Sequence, residues 1–204
     1  VIVLMRHART AGASGRCIGR TPVPLSEAGR EQVRQLVTSV GCIKFRRLCT
    51  SPAQRAVDTI TPMALIHDLQ VQTVPELNEI DMGAWDGLPF DEVRQKYPDR
   101  YAERGNQFAE FRPPNGESFS DVAARAMPMV ERLAQGQRPV LAVTHAGVLR
   151  SILCRVTGHP LDDLFHFKPE YVRSVVFRWE NDRLTLRAFN VAPDDLSSFV
   201  PPVR

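Results

Sequence analysis

Two apolar runs in this chain end in histidine. "VIVLM" leads into Arg6-His7, and "PVLAV" leads through Thr144 into His145. A buried strand usually fades into Gly, Asn or Ser. Here each run delivers an imidazole to its carboxyl end, and the first sets a guanidinium beside it. In open α/β sheets that edge is where ligands bind. Arg55 follows the helix start "SPAQR" and faces the same edge, because that helix begins where the strand "RRLCTS" ends. Two imidazoles, two guanidiniums and backbone N–H groups make a pocket for a dianionic phosphoryl group. An alkoxide leaving from phosphorus needs a proton, and the loop "PELNEIDMGAWDG" offers carboxyl groups at Glu76, Glu79 and Asp81. The chain has no Walker lysine, no G-x-G-x-x-G and no cluster at metal-ligand spacing. Charge alone would hold the phosphate, and histidine is the obvious nucleophile.

The elements that must position these groups are legible as alternating strands and helices. Val1–Met5 reads as the first strand. "TPVPLSEAGREQVRQLV" marks a turn and a helix, with Ser26 as N-cap, Val33, Leu36, Val37 and Val40 on one face, and Gly41 as the stop. "RRLCTS" is a second strand. The next helix should have Ser51 as cap and Pro52 at its first position, with Pro62 kinking or ending it. "VQTV" is a third strand. Residues 89–115, polar, aromatic and Pro-containing, read as one or two short helices and a loop inserted over the sheet. "ESFSDVAARAMPMVERLAQ" has helical spacing, interrupted at Pro128; "RPVLAVTHAG" is a strand and "GVLRSILCRVTG" the helix behind it. "SVVFRWENDRLTLRAF" alternates around an "END" turn, as a hairpin does. The pattern is that of a three-layer α/β/α domain with a mostly parallel central sheet, in which residues 1–204 form one domain.

Composition adds bounds. With 204 residues the chain can bury a full core, and its net charge of +3 is too mild to argue for nucleic acid. The basic residues are nearly all Arg, with Lys only at 44, 96 and 168; Arg suits bidentate phosphate or carboxylate recognition. Cys17, Cys42, Cys49 and Cys154 form no C-x-x-C pair and have no metal spacing. No stretch is apolar for long enough to span a membrane, and the first five residues are too short for a signal sequence, so a cytoplasmic location is expected. His67, His159 and His166 read as surface or structural histidines; Trp85 and Phe90 read as core or lid packing, with the wall of a substrate pocket as the alternative.

Five segments, in order, resemble the histidine phosphatase superfamily, also called phosphoglycerate mutase-like. "LMRHART" resembles its R-H-G signature, and "GRTPVPLSEAGREQ" its G-x-T-D-x-P-L-S-x-x-G-x-x-Q segment. "TSPAQRAVDT" is similar to S-S-P-x-x-R-A-x-x-T, "ELNEIDMGAWDG" to E-L-x-E-x-x-F-G-x-W-E-G, and "VTHAGVLR" to V-T-H-G-G-V-L-R. The resemblance covers roughly residues 1–155. "PNGES" at 114–118 resembles a further segment that reaches the site edge.

The resemblance implies roles. His7 would attack phosphorus and carry a phosphohistidine. Arg6, Arg55 and His145 would bind the phosphoryl oxygens, with Ala146 beside them. Glu79 matches the acid that protonates the leaving oxygen; the residues alone leave Glu76, Glu79 and Asp81 open, and the motif register selects Glu79. No cofactor and no metal are implied. The expected partner is a small-molecule phosphomonoester, with no nucleic acid and no membrane; a homodimer stays open. Ala8 and Ala146 stand where the family has Gly, and a φ > 0 at either would be strained. Ala13 and Ile18 stand where the mutase branch has Asn and Thr or Ser, which argues against mutase activity. The loop segments look most like those of the alpha-ribazole phosphatase branch, which removes a 5'-phosphate in cobalamin nucleotide-loop assembly. A broad sugar-phosphate phosphatase, a phosphoglycerate mutase and a phospho-ligand-binding regulatory module are the alternatives.

Overall fold

The computed structural model describes residues 1–200. Strands β1 (Ile2–Arg6), β2 (Arg47–Thr50), β3 (Val71–Thr73) and β4 (Val140–Thr144) run parallel; β5 (Ser174–Glu180) and β6 (Arg183–Val191) complete the sheet as an antiparallel hairpin. The order is β3-β2-β4-β1-β5-β6. The "END" turn closes the hairpin with Asn181 and Asp182 at φ 50° and 57°. A type I′ two-residue turn needs positive φ at both positions, which Asn and Asp tolerate.

Six α-helices cover the sheet: α1 (Glu27–Val40), α2 (Gln54–His67), α3 (Phe90–Lys96), α4 (Pro98–Asn106), α5 (Phe119–Gln135) and α6 (Ala146–Thr157). Alternate strand residues feed two cores. Ile2 and Leu4 pack with Val122, Val130, Leu149 and Ile152 of α5 and α6. Val3 and Met5 pack with Val33, Leu36, Ile60 and Met63 of α1 and α2. The expected three-layer α/β/α architecture is the one observed. Among the described residues, no helix is long and apolar enough to cross a membrane.

The placement of the site follows from register. Ile2 pairs with Val140 and the pairing runs unbroken to Arg6 with Thr144. His7 and His145 are each the next residue, so they leave the sheet side by side. The His7 N–H donates to the Thr144 carbonyl at 3.0 Å, extending the ladder to the histidine itself.

The caps divide. Ser26 caps α1, accepting from the Gly29 N–H. Ser118 and Asp121 form a reciprocal capping box on α5. Ser51 does not cap α2. That helix starts at Gln54 behind Ala53, which makes no side-chain cap bond. The Ser51 hydroxyl is instead committed to His145 and to the Ala53 N–H. Pro62 and Pro128 end neither helix: α2 runs on to His67 and α5 to Gln135. Met63 and Val130, just beyond each proline, are fully buried, and this packing carries the helix through.

Candidate active site

His7 is 6 % exposed and its ring is fixed at one nitrogen: Nδ1 lies 2.7 Å from the Ala8 carbonyl. A carbonyl only accepts, so Nδ1 carries the proton and Nε2 keeps a free lone pair. Burial, then Arg55 and Arg6 close by, push the His7 pKa down to about 3. The imidazole is therefore neutral across the working pH range, as a nitrogen nucleophile must be. Ala8 donates its own N–H to Thr59 Oγ1 at 3.0 Å, which ties the turn after β1 to α2.

His145 is fully buried, with its ring centroid 5.1 Å from that of His7. Its Nε2 is 2.7 Å from Ser51 Oγ, whose other acceptor, Asn78 Oδ1, is 3.3 Å away. Given to the shorter contact, the hydroxyl proton leaves the His145 proton on Nδ1. That nitrogen is buried without a partner among the described residues, and so is Arg6 Nε. Orphaned buried donors are rare and costly. Two of them stand in the groups flanking His7, and an anion is the kind of ligand that would satisfy both.

Each guanidinium is held from behind. Arg6 Nη1 donates to the Pro169 carbonyl at 2.9 Å, and its Cζ lies 3.6 Å above the Tyr171 ring. Arg55 donates to the carbonyls of Gly19 (2.7 Å) and Thr21 (3.3 Å). Burial lowers the pKa of both, with no effect on their charge at neutral pH. The loop that holds Arg55 is itself gathered by Asp86, which accepts from the N–H groups of Gly19, Arg20 and Thr21 and from Thr21 Oγ1.

Glu79 comes from the loop after β3. It is 8 % exposed, and its carboxylate accepts from the Ile80 N–H at 3.0 Å and the Gly147 N–H at 3.3 Å. A Cβ at Gly147 would stand 2.4 Å from Glu79 Oε1, so any side chain there would displace the carboxylate. Ala146 opens α6, a 12-residue helix whose N-cap is His145. The positive end of that helix thus faces the same space. Neither Ala8 nor Ala146 is among the residues with positive φ, so the methyls that replace the family's glycines cause no backbone strain. Glu76 and Asp81 are turned elsewhere: Asp81 pairs with Arg20 and Glu76 with Arg132.

Beyond Arg6 and Glu79 opens a cavity of about 230 Å³ walled by Phe90, Phe108, Phe111, Phe119 and Phe165, with Arg104 and Arg150 at its sides. Trp85 is buried against Phe111, with Tyr97 and Tyr101 nearby, and packs the insertion rather than facing the cavity. The structure thus brings together Arg6, His7, Arg55, Glu79, His145 and Ala146. Ser51, Asp86, Thr59 and Tyr171 escaped the sequence reading. Ser51 and Asp86 lie inside the recognised segments, and only Tyr171 has no local signal at all.

A neutral, immobilised imidazole between a buried and a half-buried guanidinium, on the carboxyl edge of a parallel sheet, defines an α/β protein suited to phosphoryl chemistry on nitrogen. The family follows from comparison. The model described as histidine phosphatase superfamily (branch 1) matches residues 2–192, and the chain belongs to that superfamily. The adenosylcobalamin/alpha-ribazole phosphatase of Escherichia coli K12 is 32 % identical over 168 residues, covering 81 % of this chain and 83 % of that protein. A metal-independent phosphoserine phosphatase of Arabidopsis thaliana is 35 % identical over 165 residues, covering 76 % and 68 %. Among solved structures, the alpha-ribazole phosphatase of Shigella flexneri superposes with a TM-score of 0.84 at 29 % identity, covering 93 % of this chain and 95 % of that one.

Proposed function

We propose that the chain is a phosphomonoesterase working through a phosphohistidine on His7. One observation carries this reading: His7 presents a free Nε2 lone pair, with Nδ1 tied back to Ala8, between two guanidiniums and the unpartnered Nδ1 of His145. In the first step the Nε2 lone pair forms a bond to phosphorus while the ester P–O bond breaks. Arg6, Arg55, His145 and the first N–H groups of α6, including that of Ala146, hold the phosphoryl oxygens as charge shifts onto them. Glu79 gives the departing oxygen a proton. In the second step Glu79 takes a proton from water, which attacks phosphorus and frees His7. Phosphate is held by nitrogen donors throughout, so turnover needs no metal.

The finer reading is alpha-ribazole 5'-phosphate. The relatives named for that substrate and the aromatic walls of the cavity support it, since a flat ring packs well between phenylalanines. Ala13 and Ile18 in place of polar residues speak against a mutase. The proposed unit is one phosphatase domain, with residues 89–115 as an insertion that supplies part of the leaving-group wall.

A hydrolysis screen with EDTA present tests the proposal, over a panel that includes alpha-ribazole 5'-phosphate, sugar phosphates and 3-phosphoglycerate. Phosphate release, fastest from alpha-ribazole 5'-phosphate, is expected. Comparable rates on many sugar phosphates would leave the mechanism and replace the substrate. Isomerisation of 3-phosphoglycerate without net phosphate release would make the chain a mutase. Tight phosphate binding with no turnover of any ester would make it a regulatory module.

A further inference from the structure

The segment "HPLDDLFH" read as ordinary surface: one histidine in a turn, another in a short amphipathic stretch. The fold brings them together. Leu161–His166 is two short 3₁₀ turns joined at a non-helical Asp163 (φ −108°, ψ 33°). The rings of His159 and His166 stack with centroids 4.5 Å apart and planes 29° from parallel. Phe167 lies edge-to-face with both, at 5.4 and 5.1 Å. His159 Nε2 is 3.0 Å from Asp163 Oδ2. One donor atom from each of His159, Asp163 and His166 lies within 4.8 Å of the other two, the one such group among the described residues.

We infer that His159, Asp163 and His166 form a binding site for a divalent transition metal of the zinc, nickel or copper class, apart from the phosphoryl site. Two imidazoles are borderline donors, and with one carboxylate they make a set that zinc, nickel or copper accepts; magnesium and calcium want oxygen only. With zinc–nitrogen bonds of about 2.0–2.1 Å, tetrahedral donors sit about 3.4 Å apart. Asp163 and His166 are exposed and His159 half-buried, so side-chain rotation closes the remaining gap without moving the backbone. Solvent supplies the fourth position.

A plain surface ion pair is the competing account. Such a pair stabilises little in solvent, and it explains only His159 with Asp163. It leaves His166 stacked on the pair with no hydrogen-bond partner of its own among the described residues. The segment also leads straight to the site: Phe165 walls the cavity, the Phe167 carbonyl holds Arg150 Nε at 3.0 Å, and the Pro169 carbonyl holds Arg6. A metal would fasten the near end of this strap without touching the reacting atoms.

The test uses the EDTA-stripped full chain, titrated with zinc alone against a chromophoric chelator, with ring ¹H–¹⁵N spectra recorded in parallel. One equivalent should bind, and the ring signals of His159 and His166 should shift together while those of His7 and His145 stay. His166→Ala and Asp163→Asn should each weaken binding by more than about tenfold, the order lost even when a ligand's supporting hydrogen bond is removed. Both variants should keep the wild-type circular dichroism and the metal-free hydrolysis rate. Unchanged zinc affinity in His166→Ala would overturn the assignment. So would zinc shifts confined to His7 and His145, or binding abolished by blocking the cysteines alone.

Discussion

At the phosphoryl end of the cavity, His7 and His145 step off adjacent central strands whose register is unbroken from Ile2 to Arg6. At the other end, Phe90 comes from α3, Phe108 and Phe111 from the loop after α4, and Phe165 from the turn before β5. The first region is largely buried: His145 and Ala8 are fully inaccessible, Arg55 is 3 % exposed, and Arg6 is half-buried. The second is open, with Phe90 and Phe165 each about half exposed. In-line attack tolerates sub-ångström error, and only the sheet fixes atoms that well. A leaving-group wall needs shape rather than precision, and loops can vary it without disturbing the chemistry.

If the two ends are separable in this way, damage to them should differ in kind. The largest effect is expected from His7→Ala, which should cut turnover by at least ~10³-fold, a usual order for deleting a covalent nucleophile. The fold and phosphate binding should persist, as read by circular dichroism and calorimetry. Glu79→Gln comes next. It should slow an alkyl phosphate by about 10²–10⁴-fold, the range of general acid catalysis. It should spare p-nitrophenyl phosphate, whose leaving group needs little protonation; equal losses on both would remove the acid role. At the other end, Phe108→Ala combined with Phe165→Ala should raise KM about tenfold for a bulky aromatic ester, on the scale of the apolar area lost. The kcat for p-nitrophenyl phosphate should barely move. A large fall in that kcat would join the two ends into one unit.

The smallest effect is on stability. Burial and the nearby guanidiniums push the pKa of His7 to about 3 and that of His145 well below its usual value. The unfolded chain therefore takes up protons that the folded chain refuses, and stability falls as pH drops from about 6.5. The loss from His7 is complete only near its folded value of about 3. Urea midpoints should decline over that window, and His145→Gln should flatten the slope. A slope unchanged by His145→Gln would place the acid sensitivity elsewhere.

The same contrast governs what could be read from sequence. The strands and their terminal histidines were legible because an apolar run and the residue ending it are adjacent in the chain. Ser26 as a cap and "END" as a turn were legible for the same local reason. Ser51 misled: the Ser-Pro pattern suggested a cap, whereas the hydroxyl serves His145, 94 residues away. Asp86 lay inside a recognised segment, yet its task of gathering residues 19–21 behind Arg55 is long-range. Tyr171 under Arg6 and the pairing of His159 with His166 depend wholly on how the segment after α6 folds back, which no local pattern encodes.

The central claim is that His7 Nε2 becomes covalently phosphorylated, and rapid-quench trapping tests it most directly. Wild-type protein mixed with a ³²P-labelled ester and quenched in base should yield a phosphoenzyme that is stable to alkali, is lost in acid and maps to His7. His7→Ala should yield none. Label on His145 instead would reverse the two histidines, and steady turnover by His7→Ala with no phosphoenzyme in either protein would contradict the mechanism outright.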